Sequence, residues 1–191
     1  MKSVLISIQP KWCELIASGK KTIEVRKTAP KIATPFKVYI YCTLQGSNEF
    51  FQSLKNRLGE YEALSKWNRE NWGIKKGKVI GEFICDNLKT FEFGPQYYET
   101  LNGSCLTGNE VWDYGKGKTL YGWHISNLVI YDKPRELGEF YVVVENEDCG
   151  KCKYYDTPCE SEPCNQCQGG RKYLTRPPQS WCYVESEVDT E

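Results

Sequence analysis

Histidine is almost missing from this chain: His124 is the only one in 191 residues. Paired-histidine metal motifs of the zincin kind therefore cannot be written, and a Ser–His–Asp triad would have to use His124. No nucleophile-elbow glycine–x–serine–x–glycine accompanies it. Lying inside a run that reads as a strand, His124 is taken as a satisfied structural residue and not as a base. Long apolar runs are missing as well. Nowhere do about 18 apolar residues stand together, which argues against a membrane-spanning helix. Met1 to Pro10 reaches the polar Gln9-Pro10 too early to form the apolar centre of a secretory signal. No glycine-rich loop has P-loop or dinucleotide spacing, and Gly115-Lys116-Gly117-Lys118 is a flexible basic loop.

Neither sign of charge dominates, with 25 basic and 25 acidic residues. The balance hides an asymmetry. Residues 1–37 hold eight Lys/Arg against two acidic residues, whereas residues 149–191 hold five against seven. A basic N-terminal half suits an anionic partner, and an ordinary lysine-bearing surface would give the same count. The length fits one domain with room for a small appendage. Aromatic residues, at 14%, are plentiful enough for a substantial core.

Hydrophobic periodicity sets out the elements. Val4-Leu5-Ile6-Ser7-Ile8 reads as a first strand, stopped by Gln9-Pro10, and Pro10 suits the start of a helix because its missing N–H costs nothing there. Trp12, Leu15 and Ile16 recur at helical spacing, and Gly19 provides a left-handed end to that helix. Phe36 to Tyr41 alternates and is rich in aromatic and β-branched residues, as strands are. Residues 48–72 carry apolar residues at three and four and predict one or two helices. Lys78 to Cys85 is the next strand, with Gly81 marking a bulge or a close backbone approach. Residues 86–120 read as irregular. Tyr121 to Tyr131 reads as a last strong strand ended by Asp132-Lys133-Pro134, and Phe140 to Val144 can add another.

The stretch Gly19-Lys20-Lys21-Thr22-Ile23-Glu24-Val25-Arg26 carries the densest chemistry. From Lys21 on it has strand parity, so Thr22, Glu24 and Arg26 share one face opposite Ile23 and Val25. That places hydroxyl, carboxylate and guanidinium in a row. Lysine and arginine can hold phosphate, and a glutamate can accept from an exocyclic amine. The plainer possibility is a structural ion pair.

Ten cysteines without an export signal point to reduced thiols and metal in a cytoplasmic protein. Cys149-Gly-Lys-Cys152, eleven residues, then Cys164-Asn-Gln-Cys167 form two paired knuckles whose four thiolates can close a tetrahedral zinc site. The flanking segment is too poor in apolar residues to fold alone, so the metal would stabilise it. Such a closed set leaves no open position for catalysis. Cys159 and Cys182 are alternative ligands, and a disulfide network is the other arrangement open to these residues. Cys13, Cys42, Cys85 and Cys105 lie in or beside core elements and read as buried thiols.

Residues 7–26 resemble the opening of an ASCH domain, whose Gly-x-Lys-x-x-Glu-x-Arg signature is Gly19, Lys21, Glu24 and Arg26 here. Val38 to Cys42, Gly77 to Phe83 and Gly122-Trp123-His124-Ile125 follow the family's order, and Arg176 to Val184 resembles the tails of phage and Firmicute members. The resemblance implies an α+β fold: a PUA-like mixed β-barrel with flanking helices. In this chain it would carry a zinc-knuckle appendage, giving residues 1–145 as the ASCH domain, 146–170 as the zinc insertion and 171–191 as a tail returning to the barrel. It further implies a cleft between first helix and barrel that holds RNA or a modified nucleotide, lined by Lys21, Thr22, Glu24 and Arg26, with Tyr41, Tyr121 or Trp123 stacking a base. For each of these aromatics, core packing is the competing role.

Three functions follow from this. The first is a nucleic-acid or nucleotide-binding module. The second is a hydrolase, because some relatives deacylate 4-acetylcytidine or have been proposed to cut RNA; Lys21 and Glu24 would then be catalytic. In the deacylase pattern a threonine stands where this chain has Glu24, and Thr22 lies two residues away. The third is a phage protein-interaction factor working in the host cytoplasm, with the knuckles as its contact surface. The zinc reading has a direct check: protein purified without added metal should carry about one zinc per chain. Metal-free protein with oxidised cluster thiols would overturn it.

Overall fold

The computed structural model describes residues 3–44, 76–91, 101–143 and 171–186. The helices expected within 48–72, the four knuckle cysteines Cys149, Cys152, Cys164 and Cys167, and Cys159 lie outside those residues. The described chain is α+β, built from ten strands and two short α-helices.

In chain order, β1 (Ser3–Ile8) leads into α1 (Pro10–Ala17), then β2 (Ile23–Arg26) and β3 (Phe36–Cys42). After them come β4 (Lys78–Cys85), β5 (Leu88–Phe91), α2 (Gly108–Gly115), β6 (Leu120–His124) and β7 (Ser126–Arg135). A 3-10 turn at Leu137–Glu139 precedes β8 (Phe140–Val143), and β9 (Arg171–Tyr173) and β10 (Trp181–Ser186) close the described chain. Seven strands form one sheet in the order β7-β4-β3-β1-β10-β8-β9, and β2-β6-β5 form another. Within the larger sheet β1 runs parallel to β3 and antiparallel to β10.

The central strands are apolar on both faces, and that divides the core in two. Val4, Ile6 and Ile8 of β1 join Phe36, Val38, Ile40 and Cys42 of β3 in one cluster, with Trp123. Leu5, Tyr39 and Tyr41 point the other way and pack with Val79, Phe140 and Val184. A strand buried on both sides reads as a nearly continuous apolar run, as β1 does. A third, smaller cluster of Val25, Val111 and Leu120 seats α2 against the three-stranded sheet.

Three sequence expectations are corrected. Residues 86–120 are not irregular throughout, since they contain β5 and α2. The start of α2 was written in the sequence as Thr-x-x-Glu: the Glu110 N–H donates to the Thr107 hydroxyl at 3.3 Å, and the Thr107 N–H donates to the Glu110 carboxylate at 2.8 Å. The single strand expected over 121–131 is two strands in different sheets, parted at Ile125. The second of them runs on through Pro134, which an edge strand tolerates because its N–H side needs no partner. Finally, β2 begins at Ile23 and not at Lys21, because the Thr22 and Ile23 N–H groups bond the Gly103 carbonyl instead of a neighbouring strand.

Gly81 bears out the expected close approach. A Cβ there would stand 2.3 Å from the Val129 carbonyl oxygen, where the β4–β7 register also shifts. Backbone cannot yield as a flexible side chain would. Gly81→Ala should therefore cost about 1–3 kcal/mol, read as a lower urea midpoint. An unchanged midpoint would show that β7 moves aside freely.

Candidate functional site

The turn after α1 delivers the first residue of the site. Gly19 takes the left-handed conformation with φ +73°, and the Lys21 N–H then bonds the Leu15 carbonyl at 2.9 Å. That fold-back turns Lys21 inward. It is 2% exposed, Glu24 is 5% and Arg26 is 8%, so three charged side chains of one short segment are all buried.

They are buried together. The Lys21 ammonium lies 3.4 Å from Glu24 Oε2, and Arg26 Nη2 lies 2.9 Å from Glu24 Oε1, so each carboxylate oxygen has its own cation. The ammonium also donates to the Ser104 carbonyl at 2.7 Å and stands 5.0 Å from the centre of the Trp12 ring. Arg26 Nη2 donates to the Ser7 carbonyl at 2.6 Å, and Nη1 reaches Ser180 Oγ at 3.5 Å. Backbone carbonyls from the end of β1 and from the loop before α2 thus complete the shell. Buried charges persist only when paired and hydrogen-bonded in this way.

Among the described residues, two thiols and a phenol that feel these charges add none of their own. Burial pushes the Cys13 thiol well up, helped by a hydrogen bond with Cys42, and the charges of Glu24 and Arg26 act on it in opposite directions. Burial likewise raises the Tyr114 phenol, which feels both Arg26 and Glu24, and the Cys105 thiol, which feels Lys21 and Lys20. Each therefore stays neutral near pH 7. Lys21, Glu24 and Arg26 sum to one net positive charge.

Strand pairing adds Trp123. Its Cα partner across β2–β6 is Glu24, while Arg26 faces Tyr121, so Glu24, Arg26, Trp123 and Tyr121 share one face. Trp123 is fully buried, edge-on to Phe36 at 5.8 Å and to Trp181 at 5.9 Å. Its ring faces belong to the core, and it offers no open platform in this conformation. The indole Nε1 of Trp123 and the guanidinium Nε of Arg26 are buried and meet no acceptor among the described residues.

The structure thus brings Lys21, Glu24, Arg26 and Trp123 together. It does not bring in Tyr41, which is 5% exposed in the cluster on the opposite side of β3. Thr22 is exposed, with its hydroxyl turned to Gly103, where a Cβ would stand 2.3 Å away. His124, next along β6, pairs with Asp86 at 2.6 Å with both side chains 44% exposed. That hydrogen bond is the main reason the Asp86 carboxyl lies below its ordinary value. Cys182 packs in β10 against the second cluster, and no group of metal-ligating side chains occurs among the described residues. Sequence reading missed Ser104, Ser180 and the Ser7 carbonyl. Ser180 is 154 residues from Arg26, and no local pattern links them.

Comparison with known proteins follows from this geometry. The family model described as the ASCH domain matches residues 6–92. The crystal structure of ASCH from Zymomonas mobilis is similar over 98% of this chain and 90% of its own, at 15% identity and a TM-score of 0.54. A point mutant of that protein gives 97%, 91%, 15% and 0.54. At such identity the likeness is one of fold. No curated protein matches the chain.

Removing the central charge should be costly. Glu24→Gln leaves two buried cations without a counter-charge, and breaking a buried pair costs about 3–5 kcal/mol. The loss is read from urea unfolding at neutral pH. A midpoint equal to that of the unchanged protein would show that Lys21 and Arg26 escape to water without it.

Proposed function

We propose, from the match of residues 6–92 to the ASCH domain model, that this protein is a nucleic-acid-binding module, RNA or a modified nucleotide being its ligand. Lys21, Glu24 and Arg26 form its recognition element. The observation that supports this is the convergence of those three side chains, from one short segment, into a buried group with net positive charge. A positive group suits an anionic ligand, and the basic N-terminal half of the chain would steer one toward it. Glu24 orders the two cations and keeps them from repelling each other. Trp123 belongs to this element through its indole edge, and Tyr41 serves the core that holds the strands in register.

The cysteine quartet Cys149, Cys152, Cys164 and Cys167 is proposed to hold structural zinc beside this module. Its pairing of short knuckles supports that reading, and a surface so stiffened would suit a protein partner.

Hydrolysis by Lys21 and Glu24 is the competing activity. Neither oxygen of Glu24 is left without a cation, which favours holding a ligand over moving its protons.

Binding is measured by anisotropy of short labelled RNA across a salt series. Affinity should fall steeply with salt as phosphate contacts release counterions. Lys21→Ala should weaken binding roughly tenfold or more, as loss of a charge-assisted contact does, while exposed Lys118→Ala should change it little. A folded Lys21→Ala protein with full affinity would remove the recognition element from this place. Turnover of 4-acetylcytidine or of the RNA itself would replace the binding reading with the hydrolytic one.

A further inference from the structure

Two buried donors stand beside the charged group with nothing to donate to. Arg26 uses Nη2 on Glu24 and on the Ser7 carbonyl and Nη1 on Ser180, and its Nε is the guanidinium nitrogen with no partner among the described residues. Trp123 leaves its only polar atom, Nε1–H. Unpaired buried donors are rare because each forfeits the full cost of its desolvation.

The two donors belong to one locality. Arg26 and Trp123 are diagonal neighbours on the same face of β2 and β6, within reach of long side chains. Arg26 touches Ser180 while Trp123 packs on Trp181, the next residue, and the Ser7 N–H holds the Ser180 carbonyl at 2.9 Å. Both side chains are thus pinned against the same corner, where the end of β1 meets the start of β10.

Both groups can only donate, so whatever they recognise must accept. Beside them Lys21 and Arg26 outnumber Glu24 by one positive charge, which favours an anionic acceptor over a neutral one. We propose that Arg26 Nε–H and Trp123 Nε1–H bind an anionic phosphate oxygen of the ligand, so that the site reads a nucleotide by its phosphate at this corner. The inference rests on the nucleotide-binding reading above and adds which atom the site grips. The source of that oxygen, free phosphate or a nucleotide, is for the titration to decide.

The test follows the Trp123 indole and Arg26 Nε proton resonances in 15N-labelled protein, assigned through bonds. The probes are inorganic phosphate, a nucleoside 5′-monophosphate and its parent nucleoside. Both resonances should move together with the two phosphate-bearing probes, and the monophosphate should bind roughly tenfold or more tightly than the nucleoside. Movement with inorganic phosphate as strong as with the monophosphate would identify the free ion as sufficient. Trp123→Phe, which keeps the ring and removes the donor, should weaken the monophosphate by a similar factor. If that variant fails to fold, the resonances of the unchanged protein decide alone. Equal shifts with the nucleoside would overturn the anionic assignment. Resonances that stay still while RNA binds would overturn the corner but spare the binding module. A crystal structure placing protein acceptors or ordered water on both donors in the presence of the monophosphate would also overturn it. Absence of binding to any probe and to RNA would remove the module reading itself.

Discussion

A single carboxylate holds two buried cations apart and together. Glu24 gives one oxygen to Lys21 and the other to Arg26, and without it both cations would face each other across a dry interior. The arrangement is more than a local pair. The Lys21 ammonium reaches Ser104, 83 residues on, and the Arg26 guanidinium reaches Ser7 and Ser180. Five chain segments therefore meet at one point: the end of β1, the turn after α1, β2, the loop before α2 and the approach to β10. The Arg26 contact with Ser180 requires the larger sheet to have placed β1 beside β10. The electrostatics thus depend on topology, and the site can be in order only when the fold is complete.

The packing around that point follows from the division of the core. Because β1 and β3 are buried on both faces, apolar residues of alternate parity supply two separate clusters, and the charged group lies on the Trp123 side. The three-stranded sheet faces this side with Glu24, Arg26 and Trp123, and its other face receives α2 through Val25, Val111 and Leu120. A polar group of this kind is tolerated because apolar clusters flank it and Glu24, two backbone carbonyls and the Ser180 hydroxyl satisfy most of its donors. Arg26 Nε and Trp123 Nε1 are the exceptions among the described residues, and their position at one corner makes them a matched pair.

Legibility in the sequence tracked the range of the interactions. The strands β1, β3, β4 and β8 and the helix α1 were readable because apolar alternation, a proline start and a glycine stop are local signals. The Lys21–Glu24–Arg26 association was readable because the three residues lie within six positions. Their burial was not, since charged alternation on a short strand is usually a solvated edge. Thr22 was placed among them by strand parity and lies outside, because Gly103 captures its N–H and that of Ile23 and so delays the start of β2. The separation of β6 from β7 was hidden for a similar reason. Ile125 alone parts the two strands, and Asn127, with φ +47°, already lies inside β7, so no glycine or proline marks the change of sheet. The α2 helix was missed although its Thr107–Glu110 capping box was in plain view, since glycines nearby suggested a loop.

Whether such a group binds or reacts turns on spare valences. A general base needs a lone pair directed at substrate, and a nucleophile needs an adjacent base. Glu24 has each oxygen opposite a cation, Lys21 spends a hydrogen bond on Ser104 and an ion pair on Glu24, and the nearest hydroxyl in sequence, Thr22, points away toward Gly103. The buried atoms left without any partner among the described residues are donors, at Arg26 and Trp123. Wholly unpartnered buried donors suit an acceptor, and on that the binding proposed above rests.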